Sequence, residues 1–208
     1  MDKFTEYVNG KSVAIVGPAK SAEGSGNGNE IDSFDIVCRL NAYSAKMPES
    51  DFGTKRDVLF VTPYSNYDIK GIKEAGFVWI VSPHNLERSV TKELYRQCNE
   101  NSLSFSCPPA WLWPEICKDL NRYPTTGLMA AIYLMTLPVK TLTMFAMDFH
   151  NSGYAQGYGT KKMNKEKFDL LHDTESQIRY LSLMEDKRLS FDSVLGELIR
   201  PHKEGSGG

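Results

Sequence analysis

Apolar residues in this chain come in short runs that end on turn-forming residues, and the runs alternate with stretches of helical periodicity. Ser12 to Val16 (SVAIV) meets Gly17-Pro18 and reads as a buried strand. Phe34 to Leu40 (FDIVCRL), Val58 to Val61, Phe77 to Val81 and Val139 to Met147 complete a set of five strands. Helical patterns cover Tyr67 to Ala75, Leu86 to Cys98, Pro114 to Leu120, Leu128 to Leu137 and Lys165 to Leu171, followed by Asp173 to Glu185 and Asp192 to Ile199. Continuous apolar strands between helices predict a mostly parallel central sheet with helices on both faces, an α/β fold. In such sheets ligands bind beyond the carboxyl ends of the strands. That rule selects the loops after Val16, Leu40, Val61 and Met147.

Composition narrows the picture. The 208 residues suit one domain, taken as 1–200, with 201–208 a tail that ends Gly205-Ser206-Gly207-Gly208. A net charge of -2 argues against a nucleic-acid binder, and the lysines at 161, 162, 165 and 167 read first as a solvated helix face. Cys38, Cys98, Cys107 and Cys117 lack zinc-site spacing. They read as reduced thiols of a cytoplasmic protein. Met1 to Lys11 is polar, and no apolar stretch approaches the length of a membrane span.

Each selected loop carries candidate chemistry beside an ordinary structural use. Gly17 to Gly28 follows a strand and holds four glycines, fitting either a phosphate cradle or a plain flexible loop. It matches neither G-x-G-x-x-G in its usual place nor a Walker loop. Arg39 must pair with a carboxylate or an anion, and Asn41 can donate to a phosphate or form a turn. Thr125, Thr126 and Gly127 stand at the start of a helix apolar almost all round, where they can face an anion or simply cap. His172 precedes an amphipathic helix; His84, His150 and His202 are the other histidines available.

Taken in order, these segments resemble the family 29 sialyltransferases. Val13 to Asn41, ending EIDSFDIVCRLN, resembles their large sialylmotif, and Asp51-Phe52-Gly53-Thr54-Lys55 and Thr62-Pro63 continue it. Tyr123 to Asp148 is similar to the small sialylmotif, with Tyr123-Pro124-Thr125-Thr126-Gly127 as its opening. His172, 24 residues after Asp148, matches the histidine of the very short motif. The resemblance implies a GT-A-like single domain that moves an acidic 2-keto sugar, sialic acid or Kdo, from a CMP-activated donor to a glycan hydroxyl. Capsule or lipopolysaccharide biosynthesis is the setting it implies.

The family's roles transfer residue by residue. Gly17 and Ser21 would lie along the CMP phosphate and ribose, Asn41 would bond the phosphate, and Thr62 would belong to the donor site. Thr125, Thr126 and Gly127 would hold the cytidine and phosphate region. Tyr154 would stabilise the departing phosphate, and His172 would deprotonate the acceptor. No metal and no cofactor besides the donor are implied, and no D-x-D pair presents itself. The partners expected are the CMP-sugar and a glycan acceptor, with peripheral membrane contact open and the oligomeric state unread. Departures exist: Pro18 replaces the family's Asn, Gln177 stands five after His172 where the family has Glu, and the paired cysteines are out of register. A nucleotide-dependent oxidoreductase and a non-catalytic nucleotide-binding module remain as alternatives. The Arg39-Leu40-Asn41 strand end, lacking an acidic residue, counts against NAD.

Overall fold

Runs such as SVAIV and VLFV have no polar face to solvate, so they fold as strands covered on both sides. The computed structural model describes residues 2–43, 45–62, 76–80, 89–107, 109, 111–120, 122–159 and 164–204. Among them, seven strands form one sheet: Ser12–Val16 (β1), Ile36–Leu40 (β2), Val58–Val61 (β3), Phe77–Ile80 (β4), Phe105–Ser106 (β5), Thr141–Phe145 (β6) and Leu189–Phe191 (β7). The order is β5-β4-β3-β2-β1-β6-β7, and every pairing is parallel. The chain leaves β1 toward β2 on one side and returns to β6 on the other. The switch point therefore lies between β1 and β6, with Val16 opposite both Arg39 and Phe145.

The helices among the described residues are Lys3–Val8 (α1), Gly28–Asp32 (α2), Glu49–Phe52 (α3), Ser89–Glu100 (α4), Leu112–Leu120 (α5), Thr126–Met135 (α6), Lys165–His172 (α7), Thr174–Ser182 (α8) and Ser193–Glu204 (α9). On one sheet face Val13, Ile15, Ile36, Cys38, Val58, Phe60 and Met144 pack against Phe4 of α1, Leu128 to Leu134 of α6, and apolar residues of α5, α8 and α9. Every residue of α6 from Gly127 to Leu134 is buried, which accounts for its all-round apolar sequence. On the other face Ala14, Val16 and Val37 meet Ile31 of α2 and Phe52 of α3, while Leu59, Val61 and Val78 meet Leu94 and Cys98 of α4.

This is the α/β arrangement that the alternation of runs predicts. The differences are local. The strand expected over Phe34–Leu40 starts at Ile36, because Asp35 instead accepts hydrogen bonds from the Ser12 amide and hydroxyl. The strand expected over Val139–Met147 is Thr141–Phe145; Ala146 turns into the left-handed region at φ 53° and donates its N–H to Asp192 at 2.7 Å. β5 and β7 have two and three residues, too short to show a period. The helix expected over Tyr67–Ala75 and the end of the fourth strand, Val81, lie outside the described residues.

Much of the sequence from Glu30 to Lys55 builds the scaffold. The Asp32 carboxylate accepts from the Thr54 amide and hydroxyl and the Lys55 amide, at 2.8 to 3.0 Å. Those bonds hold its pKa below the ordinary carboxylate value against the opposing effect of burial. Arg39 is fully buried; its Nε donates to the Lys55 carbonyl at 2.9 Å and Nη1 to the Phe52 carbonyl at 2.6 Å. Its Nη2 stands 3.8 Å from Asp32, and its guanidinium lies over the Tyr43 ring. Its partners are thus carbonyls, a carboxylate and a ring.

Candidate active site

The loops after β1 and β6 are bound to each other at the switch point. Gly17 donates its N–H to the Phe145 carbonyl at 2.8 Å, and Ala19 donates to the Ala146 carbonyl at 2.9 Å. A single antiparallel bridge then joins Ala19 to Tyr154, and Ala155 donates to the Pro18 carbonyl. A Cβ on Gly17 would collide with the Ala146 carbonyl oxygen and Met147 Cγ, so this glycine permits the close approach of two loops. Gly17→Ala should cost ~1–3 kcal/mol in chemical denaturation, because backbone must move. Gly127→Ala should cost less, since the atom it meets first is the mobile Cε of Met147. Equal losses would show that Met147 is as rigid as backbone.

The glycine loop carries an internal counter-ion. Gly24 and Gly26, at φ 85° and 70°, donate their N–H groups to the two oxygens of Asp51 at 2.8 and 3.0 Å. Those two amides are occupied within the fold and are not offered to a phosphate. Ser21 donates its hydroxyl to Asp148 at 2.9 Å, and Ser152 bonds the same carboxylate oxygen through its amide and hydroxyl. Asp148 is buried, and its Oδ2 accepts all three bonds.

Three residues expected in the donor site meet directly. Asn41, at φ 46°, donates from Nδ2 to the Thr126 hydroxyl at 3.1 Å, and its Oδ1 accepts the Thr62 N–H at 3.0 Å. Asn41 therefore bridges the ends of β2 and β3 to the N-terminus of α6. Thr125 caps that helix, accepting from the Leu128 amide at 3.4 Å. Gly127 is buried against Met147 and Leu40. Met147, which has no polar chemistry to mark it in sequence, separates Gly17 from Gly127 and so spaces the two halves of the site.

His172 precedes the amphipathic helix α8 as the last residue of α7, and Asp173 caps α8 from the left-handed region. Its surroundings, not the end of a helix, set its protonation. Burial pushes the pKa down, while the bond to Tyr123 and the Asp169 carboxylate pull it up, and burial prevails. His172 Nδ1 lies 3.0 Å from the Tyr123 carbonyl oxygen. A carbonyl only accepts, so Nδ1 carries the proton and the neutral ring keeps its lone pair on Nε2.

Gln177 joins this histidine to the α6 cap. Its Oε1 accepts the Thr125 N–H at 2.9 Å, its Nε2 donates to the His172 carbonyl, and the side chain is fully buried. Sequence marked Gln177 only as a departure; pairing its two bonds required the fold. Tyr154 and His172 belong to one run of rings, Tyr154 to His150 at 4.7 Å, His150 to Phe168 at 5.0 Å and Phe168 to His172 at 4.8 Å. His150, buried between the two residues expected to be catalytic, is a site member that sequence named only as an alternative to His172. His84 lies outside the described residues.

The model of glycosyltransferase family 29 (sialyltransferase) matches residues 6–82. Over that stretch the chain is similar to the family 29 sialyltransferases. Solved structures extend the likeness of fold. A mammalian sialyltransferase in complex with Gal-beta-1-3GalNAc-ortho-nitrophenol aligns at TM-score 0.59 and 17% identity, over 90% of this chain and 71% of that one. The sialyltransferase CstII from Campylobacter jejuni, in complex with CMP-3FNeuAc, aligns at 0.59 and 15%, over 91% and 85%. Monofunctional alpha-2,3-sialyltransferase Cst-I from Campylobacter jejuni gives 0.57 and 15%, over 95% and 80%. No curated protein sequence matches the chain. Among the described residues no helix is long and apolar enough to cross a membrane.

Proposed function

We propose that this sialyltransferase-like chain is a glycosyltransferase that moves sialic acid from a CMP-activated donor to a glycan hydroxyl. One observation carries the reading: Gln177 connects a histidine with its lone pair on Nε2 to the N-terminus of α6, where Asn41, Thr62 and Thr126 converge. A helix N-terminus with hydroxyl and amide groups around it suits the phosphate of CMP. The ligands of the similar structures, CMP-3FNeuAc in one and Gal-beta-1-3GalNAc-ortho-nitrophenol in another, support the same two substrates.

In this reading His172 Nε2 takes the proton of the acceptor hydroxyl as its oxygen attacks the anomeric carbon. The bond from that carbon to the CMP phosphate breaks, and CMP leaves as the anion. Tyr154, held against the β1 loop by its bridge to Ala19, serves the leaving phosphate. Asp148 already accepts three hydrogen bonds, which favours direct displacement over a carboxylate nucleophile. Electrostatic stabilisation of the departing phosphate is the largest catalytic effect expected.

CMP should raise the melting temperature and NAD should not; at 100 times its dissociation constant a ligand adds about 2.7 kcal/mol. CMP-sialic acid should release CMP faster than CMP-Kdo does, and EDTA should leave that release unchanged. Protection by NAD instead of CMP would return the oxidoreductase reading. Loss of turnover with EDTA, restored by magnesium or manganese, would assign the leaving-group chemistry to a metal.

A further inference from the structure

A pocket of about 330 Å³ opens between the end of α5 and the end of α7, lined by Cys117, Arg122, Tyr123, Leu170 and Leu171. It is separate from the α6 terminus yet touches the base through backbone. Tyr123 donates its N–H to the Leu171 carbonyl, and its own carbonyl holds His172 Nδ1. Whatever fills the pocket therefore lies one residue from the group that would deprotonate the acceptor.

The lining has two characters. Leu170 is 67% exposed, Tyr123 51% and Leu171 39%, an unusual concentration of apolar surface around one depression. Arg122 is exposed at its side, and among the described residues no carboxylate or carbonyl engages its guanidinium. The chain's other arginines near acidic groups behave differently, Arg96 with Glu93 and Glu100, and Arg188 with Asp186. A sugar would use the Tyr123 ring but would waste both leucines, which offer it no hydrogen bond. A bare anion would use Arg122 and nothing else. An alkyl chain ending in a phosphate uses all of them, because a guanidinium matches phosphate oxygens in a two-pronged fork.

We propose that this pocket holds the non-reacting end of an amphiphilic acceptor, an alkyl chain joined to its glycan through a phosphate. The proposal rests on the transferase reading above for the word acceptor, but the chemistry of the pocket stands without it. Leu170 and Leu171 take the chain, Tyr123 covers its first carbons, and Arg122 pairs with the phosphate. The reacting sugar then extends toward His172.

Octyl phosphate below its micelle concentration is the probe, read by tryptophan fluorescence because Trp113 lies 6.2 Å from the Tyr123 ring. Saturable binding is expected, at least tenfold tighter than that of octyl glucoside or inorganic phosphate. Arg122→Gln should reduce octyl phosphate to the level of octyl glucoside. Leu170→Ser with Leu171→Ser should reduce it to the level of inorganic phosphate, with circular dichroism unchanged. Absent binding, or binding undiminished in Arg122→Gln, overturns the proposal. Binding to anionic phospholipid vesicles without binding of monomeric octyl phosphate also overturns it, and makes the face a membrane contact. CMP release from CMP-sialic acid should be equal in wild type and Arg122→Gln. No release from the wild type defeats the transferase reading by itself, while the octyl phosphate result still decides the pocket.

Discussion

His172→Ala should leave CMP binding close to that of the wild type and cut turnover by roughly a hundredfold to ten-thousandfold, the usual worth of a positioned general base. The split follows from the geometry. The Asn41, Thr62 and Thr126 cluster does not use the imidazole, so the nucleotide keeps its contacts. What is lost is the Nε2 lone pair, which the bond from Nδ1 to the Tyr123 carbonyl keeps free of a proton. The wild-type pH profile carries a second signature. Burial lowers the His172 pKa, so the neutral, active form persists to lower pH than a free imidazole would allow, and the rate should fall only below about 6.5. The same shift makes stability rise with pH across that window, since the unfolded chain there binds more protons than the folded one. The acid limb should vanish in the mutant. Near-normal turnover in His172→Ala, with large losses in His150→Ala, would move the base two steps along the run of rings, past Phe168.

Arg39→Ala should lose roughly 3–5 kcal/mol of stability, as expected when a large buried side chain is emptied to a methyl. Arg39 is among the largest fully buried side chains of the protein. Its removal opens a void, strips two carbonyls of their donor and takes one cation from the Tyr43 ring. Arg39→Lys should rescue little, because one ammonium cannot reproduce two donors in a fixed plane and a stacked face. Urea unfolding with CMP absent isolates this effect from binding. A loss under about 1 kcal/mol, small for a core truncation, would mean that the strand end tolerates an empty space where Arg39 sits.

The sheet was legible because burial on both faces leaves VAIV and VLFV without a polar position, and these runs are too short and too rich in β-branched residues to compete as helices. β5 and β7 sit at the edges with two or three residues each, so their identity comes from neighbours and not from their own sequence. In the candidate site, Asn41, Thr125 and Thr126 stood out because a strand end and a helix cap expose polar groups at predictable places, while Thr62 came from the family resemblance; the fold brings Asn41, Thr62 and Thr126 together. Ser21 was found too, but its present partner is Asp148, a bond across 127 residues that no local pattern announces. The amides of Gly24 and Gly26 could be read as a phosphate cradle until the fold brought Asp51 to them. His150 and Met147 escaped for opposite reasons, one being a single histidine among four and the other an apolar residue among many.

The Gln177 bridge has a chemical direction that a carboxylate cannot copy. One arm receives a proton from the Thr125 amide, and the other gives one to the His172 carbonyl. An ionised glutamate in the same place would satisfy the first and press a lone pair against the second. Only its protonated form could make both bonds, near or below a pH of about 4 for an ordinary glutamate. In that range an imidazole is already cationic and useless as a base. Glutamine uncouples the two titrations: the latch between the proposed nucleotide site and the proposed base stays shut at every pH where His172 is neutral.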